Sequence, residues 1–453
     1  PPQPLVTGAA VGSKIGAGQV RVIKSAAKIA DFKAGEVLVT EITDPDWEPI
    51  MKIASAIVTD QGGRTSHAAI VSRELGIPCI VGTAQATKAL RSGGPVTVDC
   101  SAGRTGRVYP GILAFESIEH RLDQVPETRT KVMVNIGSPD EAFSQHRLPV
   151  AGIGLGRIEF IITEHIRIHP RALIDFNSHP AIGRKDAARR KLQARIEALT
   201  PGYKDKRAFY VDELAEGVAK IAAVVYPKPA IIRFSDFKTN EYRTLIGGDQ
   251  YEPVEENPMI GWRGASRYYH DDFREAFALE CAAIKKARTE MGLVNIIPMI
   301  PFCRTPEEGK QVLELMAAFG LDRAADPGLK IYMMCEIPSN IILADDFLNL
   351  FDGFSVGSND LAQLTLGLDR DSGIVNKIAD ENNQAVKRLI ETAIEKAHAH
   401  GKYIGICGQA PSDFPDFAAF LVERGIDSIS LNPDTVITTT LAIAEREKDL
   451  KGV

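Results

Sequence analysis

Gly353-Phe354-Ser355-Val356-Gly357-Ser358-Asn359-Asp360 is a short apolar run that stops abruptly on an amide and a carboxylate. A run of this length bounded by turn formers reads as a buried strand. Seven other stretches share its texture: Val132 to Ile136, Gly152 to Arg157, Ala230 to Asp236, Ile296 to Phe302, Ile331 to Ile337, Tyr403 to Gly408 and Ser428 to Asn432. Helical patterns separate them, which is the signature of a parallel α/β architecture. Strand after strand is apolar until its last positions and then ends in a reactive group: Arg157, Arg233 with Asp236, Glu336, Asn359 with Asp360, and Cys407. In a closed parallel barrel those ends gather on one face, the face that holds active sites, and eight such units over roughly 300 residues match the size of a (β/α)8 fold. The expectation is a TIM-type barrel over residues 131–453.

Upstream the texture differs. Gly8, Gly12, Gly16 and Gly18 lie among Val and Ile, but neither the P-loop lysine nor a strand, glycine loop and long helix in order is present. Short strands with glycine turns fit better, continuing through Val37 to Thr40 and Pro95 to Val98. Residues 113–130, most plainly Phe115 to Thr130, are polar, charged and weakly periodic, and read as a linker and hinge after a first domain of residues 1–112.

That first domain contains Asp60-Gln61-Gly62-Gly63-Arg64-Thr65-Ser66-His67-Ala68-Ala69-Ile70. An apolar strand precedes it, and Ala68 to Leu75 reads as a helix stopped by Gly76 and Pro78, so His67 falls in the first helical turn. Unpaired N–H groups and the positive dipole end favour an anion there and disfavour an imidazolium, leaving a neutral, nucleophilic ring. Gly62 and Gly63 permit close backbone approach, and Thr65 or Ser66 can cap the helix. The bland alternative is a polar histidine beside a surface turn.

Length and composition bound the rest. A chain of 453 residues implies two or three domains, and 44% hydrophobic with 25% charged residues is ordinary for a soluble globular protein. No run approaches a membrane span, and the start Pro1-Pro2-Gln3-Pro4 lacks a signal pattern, so a cytoplasmic protein without membrane contact is expected. A net charge of −6 offers no general attraction for nucleic acid, and Arg184 to Arg195 reads as a solvated helix face. The six cysteines have no CxxC spacing and are by default small buried hydrophobes. Gly152-Ile153-Gly154-Leu155-Gly156 imitates a dinucleotide fingerprint with the wrong spacing, His165 and His169 read as an exposed pair, and His398 and His400 suit a helix C-terminus.

The stretch GGRTSHAAIVSRELGIPCIVGT closely resembles the phosphohistidine motif of the enzymes that make or use phosphoenolpyruvate (PEP). GIGLGRIEF, IIRFSDFKTNEY, ENPMIGWRGASRY, MMCEIPSN, FSVGSNDLAQLTLGLDRD and GICGQAPSD resemble the later motifs of the same family in the same order. Their wording is closer to the PEP synthases than to pyruvate phosphate dikinase or enzyme I of the bacterial sugar phosphotransferase system, which share the plan. The resemblance implies a small swivelling β/β/α phosphohistidine domain followed by the barrel. It implies that His67 carries the phosphoryl group; that Arg157, Arg233, Arg263 and Arg370 contact the phosphate and the pyruvyl group; and that Asn359 donates to phosphate. It further implies Mg²⁺ held by Glu336 and Asp360, Cys407 as the proton donor and acceptor at the pyruvate methyl, Gly408 as a backbone contact, and Thr65 as a site for a regulatory kinase and phosphorylase. For any single residue the alternatives are a structural salt bridge for an arginine or carboxylate, core packing for Cys407 and a helix cap for Thr65. The family's N-terminal nucleotide-grasping domain loads the histidine from ATP, whereas this chain opens on the histidine domain. The expectation is therefore a C-terminal portion that exchanges phosphate between His67 and pyruvate, with ATP acting only through the missing domain and a homodimer formed through the barrel.

Overall fold

The computed structural model describes residues 2–63, 66–101, 105–116, 122–176, 187–369, 378 and 380–451. The chain divides into two compact units, Pro1–His120 and Arg121–Val453. In the first, β1 (Val6–Val11), β2 (Ile15–Val22), β3 (Val37–Thr40), β4 (Ala56–Thr59), β5 (Cys79–Val81), β6 (Pro95–Asp99) and β7 (Thr105–Pro110) close into a barrel in the order β1-β5-β4-β3-β2-β6-β7. The run from β2 through β3 and β4 to β5 is parallel and the remaining pairs are antiparallel.

Parallel strands need crossovers, and that need explains the helix carrying His67. β3, β4 and β5 are buried on both faces. Val37, Val39, Ala56, Val58 and Ile80 meet the other strands, while the alternating Leu38, Ile57, Cys79 and Val81 meet Trp47, Ile50, Met51, Ala68 and Ala69 of the covering helices. The helix His67–Leu75 is the crossover from β4 to β5, so its first turn starts just beyond the end of β4. Only Gly12 among the early glycines occupies a left-handed turn, at φ +80°. Gly8 lies within a strand, where an added Cβ would stand 2.6 Å from the Val81 carbonyl oxygen, so close strand contact and not a turn demands glycine there.

The second unit is an eight-stranded, all-parallel closed barrel. Its strands are β8 (Lys131–Ile136), β9 (Ile153–Arg157), β10 (Ala230–Arg233), β11 (Ile296–Ile300), β12 (Tyr332–Cys335), β13 (Gly353–Val356), β14 (Tyr403–Ile406) and β15 (Ser428–Leu431). β15 pairs with β8 to close the ring. Met133, Leu155, Ile231, Met299, Tyr332 and Met334 fill the interior, and the alternating residues pack outward on the helices. Each fully buried aliphatic side chain contributes about 1.5–3 kcal/mol. All eight strands coincide with runs read from the sequence, but β10 to β14 end earlier than expected, so most of the reactive residues stand beyond the strands. Asp236 lies three residues past β10, Glu336 and Cys407 one residue past β12 and β14, and Asp360 in the first turn of the helix Ser358–Leu366.

Three further expectations meet the structure here. Thr130 and Arg129 donate their backbone N–H groups to Glu447 of the final helix at 2.8 Å, so this end of the stretch read as a linker is anchored to the barrel unit. His165 is exposed, but His169 is fully buried with Nε2 2.9 Å from Glu252 Oε1, so the two are not an exposed pair. All six cysteines are buried and reduced.

Candidate active site

His67 opens its nine-residue helix, and Ser66 is the extended residue before it. The Ser66 hydroxyl makes no capping bond and is buried without a partner among the described residues, so the expected cap is positional only. Thr43 Oγ1 lies 3.0 Å from His67 Nδ1, which ties up that nitrogen and leaves Nε2 for chemistry. The turn before the helix contains Gly62 at φ +103°, a conformation that disfavours any side chain. Asp60 braces the same turn by accepting from the Thr87 N–H at 3.1 Å and from the Thr87 hydroxyl. Thr65 lies outside the described residues.

At the C-terminal end of the large barrel the polar residues interlock. Arg233 Nη2 donates to Glu159 Oε1 at 2.8 Å, and its Nη1 is 3.7 Å from Asp236 Oδ2. Asp236 also receives the fork of Arg263, through Nε at 3.0 Å and Nη2 at 2.6 Å. Arg263 Nη1 reaches Asp360 Oδ1 at 3.4 Å and the Met259 carbonyl at 3.0 Å. Burial opposes the charge of both guanidiniums, but the surrounding carboxylates outweigh it and hold both well above the ordinary arginine range. Arg157 is the register partner of Arg233 on the neighbouring strand, so the two lie side by side.

The segment that presents Arg263 is held from the other side. The Arg263 guanidinium lies 4.1 Å over the Phe302 ring, and Arg304 lies 4.8 Å from the same ring. Arg304 also donates to the Gly261 carbonyl at 2.5 Å. Phe302 adopts φ +45°, a strained conformation for a bulky residue, and its N–H donates to Glu336 Oε1 at 2.7 Å.

The other Glu336 oxygen, Oε2, is buried without a hydrogen-bond partner among the described residues. Burial, followed by the nearby charges of Asp360 and Asp236, pushes the Glu336 carboxyl up to about 8. An orphaned carboxylate oxygen beside a second carboxylate suits a small hard cation that takes one or two protein carboxylates and completes its shell with substrate oxygens and water. Glu336 and Asp360 offer a pair of carboxylates with which such a cation is compatible, and among the described residues no group of three or more His, Cys, Asp or Glu is placed to hold a metal ion.

Cys407 follows β14 and is 4% exposed, packed against the interior methionines. Its Sγ accepts from the Ser355 hydroxyl at 3.3 Å. Burial raises the thiol, while Ser355, Arg233 and Arg157 pull it back. Gly408 is required sterically, because an added Cβ would collide with the Ser358 hydroxyl and stand 2.9 Å from the Ser358 nitrogen. Asn359 Oδ1 accepts from the Gln409 N–H at 3.0 Å, joining the ends of β13 and β14. Arg370 lies outside the described residues.

The sequence reading missed Glu159, Arg304, Ser355 and Thr43, although Glu159 and Arg304 each follow a strand end and carry the same signal as the residues that were found. Two family models cover this geometry. The PEP-utilising enzyme PEP-binding domain matches residues 116–448, and the PEP-utilising enzyme mobile domain matches residues 32–103. The chain belongs to the PEP-utilising enzymes. Its similar curated relatives include phosphoenolpyruvate synthases of Synechocystis sp., 57% identical over 99% of this chain and 54% of the relative, and of Aquifex aeolicus, 54% identical over 98% of this chain and 56% of the relative. The phosphoenolpyruvate synthase of Escherichia coli is 54% identical over 98% of this chain and 55% of its own length. This PEP-utilising chain thus spans about half the length of the relatives it matches.

Proposed function

We propose that this chain moves a phosphoryl group between His67 and the enolate of pyruvate. In the complete enzyme this is the second half of the conversion of ATP, pyruvate and water into AMP, PEP and phosphate. The observation that carries the reading is the linked cluster of Arg233, Asp236, Arg263 and Asp360, with Glu336 and Cys407, at one end of one barrel. Phosphoryl transfer needs cations around spreading negative charge, and guanidiniums already held by carboxylates do not reorganise when that charge appears.

In the direction that consumes PEP, Nε2 of neutral His67 attacks phosphorus as the bond to the enol oxygen breaks, leaving the enolate. Arg157, Arg233, Arg263 and Arg370 are assigned to the phosphoryl and carboxylate oxygens, and Asn359 and Gly408 to fixing the substrate. Cys407 gives its proton to the methylene carbon and becomes a thiolate beside Arg233; in reverse the thiolate removes a methyl proton. Mg²⁺ held by Glu336 and Asp360 supplies Lewis-acid charge to substrate oxygens when bound. We assign residues 1–112 to a swivelling phosphohistidine domain, 113–130 to its connection and 131–453 to the PEP-binding barrel. A homodimer through the barrel, control by modification of Thr65, a cytoplasmic setting and charging from ATP by a preceding domain belong to the same proposal.

Incubation with Mg²⁺ and PEP labelled in its phosphoryl group tests the reading. Acid-labile label appears on His67, is absent from His67→Ala, and fails to form when a chelator removes the metal. A His67→Ala protein that labels as well as the parent refutes it.

A further inference from the structure

Ser235 lies between the end of β10 and Asp236, and every polar atom it has is gripped. Its N–H donates to Glu280 Oε2 at 3.1 Å and its hydroxyl to Glu280 Oε1 at 2.5 Å. The same hydroxyl is 2.8 Å from the Tyr242 hydroxyl, and the Tyr268 hydroxyl donates to the Ser235 carbonyl at 2.5 Å. All four side chains are fully buried. Ser235 itself holds nothing at the barrel mouth, but the next residue does: Asp236 receives the Arg263 fork and stands beside Arg233, while its own N–H donates to Glu159 at 2.7 Å.

We propose that Glu280, on the outer helix Arg274–Thr289, is a positioning residue that acts through Ser235 to aim Asp236 and so lock the two arginines that grip the phosphoryl group. An apolar residue could fill the same space without desolvating a carboxyl group, so packing alone does not account for an acid here. Every contact Glu280 makes with Ser235 leads to the backbone turn that carries Asp236. Reactions that depend on aligned donors lose rate steeply when those donors move, so a residue away from the substrate can govern the rate. The kinetic consequence rests on the proposed phosphoryl transfer, but the positioning does not.

Two measurements on the intact chain test the idea. The first compares hydrogen exchange at the Arg263 Nε–H in protein carrying nitrogen-15 at arginine Nε. Glu280→Gln and the milder Tyr268→Phe, which removes one hydroxyl, each loosen the Asp236 pairing and speed exchange by about tenfold. Unchanged exchange in both overturns the inference, whatever the protein catalyses. The second measures kcat/KM for labelling of His67 by PEP. Glu280→Gln lowers it by about tenfold or more in the parent, but by less than about threefold in an Asp236→Asn background, because both act along one path. A full additional loss in that background marks a merely structural role and overturns the proposal. A parent chain that takes no label refutes the functional reading, and the exchange comparison then decides the positioning by itself.

Discussion

Glu280→Gln should damage catalysis and yet stabilise the barrel at alkaline pH. Glu280 is fully buried, and burial lifts its carboxyl from the ordinary value of 4.5 up to about 7, with Glu159 adding to the rise and Ser235 and Arg267 opposing it. Tyr210, Tyr242, Tyr268 and Cys281 also face it, but burial holds each of them above its own ordinary range, so none titrates between pH 4.5 and 8. The folded chain keeps the Glu280 proton at pH values where the unfolded chain has lost it. This contribution to stability is fully present below the unfolded value and is lost as pH rises through about 7. At about 1.4 kcal/mol for each pH unit the loss comes to roughly 3 kcal/mol. Glutamine cannot ionise, so the variant does not suffer it. At pH 5 the variant should be about 1 kcal/mol less stable than the parent, through a weaker bond to Ser235. At pH 8 it should be about 2 kcal/mol more stable. Urea unfolding followed by Trp262 fluorescence in a Trp47→Phe background isolates the barrel unit, since these are the two tryptophans of the chain. An equal stability difference at both pH values refutes the reasoning.

The remaining predictions concern the transfer itself. Thr43→Val removes the bond to His67 Nδ1 and should slow labelling by about fivefold without altering the fold, as read by pre-steady-state labelling and circular dichroism. Cys407→Ala should abolish exchange of pyruvate methyl protons, followed by proton NMR in deuterated buffer, while labelling of His67 by PEP stays within about tenfold of the parent. Gly408→Ala should cost about 1–3 kcal/mol through the clash with Ser358 and lower kcat/KM by about a hundredfold, because the displaced turn carries Cys407. A Gly408→Ala protein of full activity contradicts the assigned close approach.

The eight barrel strands were legible because an apolar run between turn formers has few other fates in a chain of this size. What was not legible is how residues beyond those runs are aimed. Asp360 read as the end of a strand, but Gly357 and Ser358 turn the chain into a helix first, and that turn depends on the neighbouring contacts of Ser358 and Gly408. Glu280, Glu252, Arg267 and His169 carry charge or polarity on stretches that read as helix or loop, where such residues usually face water. All four are buried, because Arg267 pairs with Glu252 at 2.6 Å, Glu252 with His169 at 2.9 Å, and Glu280 with Ser235. Partners from distant positions decide that burial, and local pattern does not contain them. Thr43 escaped notice for the same reason, standing 24 residues from His67.

The charges at the barrel mouth give a physical reason why the proposed reaction would call on a metal at this site. Arg233 and Arg263 face Glu159, Asp236, Glu336 and Asp360, so in the proposed reaction these two arginines start out already paired. Paired guanidiniums are rigid donors, but they do not offer the net positive charge that would attract a multiply charged phosphate ester unaided. The deficit is sharpest at Glu336, whose orphaned oxygen and raised affinity for a proton both mark a place where added positive charge is favoured. A divalent cation held there by Glu336 and Asp360 would supply that charge to the carboxylate and to the substrate oxygens of the proposed reaction. The proposed reaction is served by carrying its nucleophile on a separate folding unit, since a histidine built permanently into the same carboxylate-rich cluster would be driven toward its protonated, unreactive form.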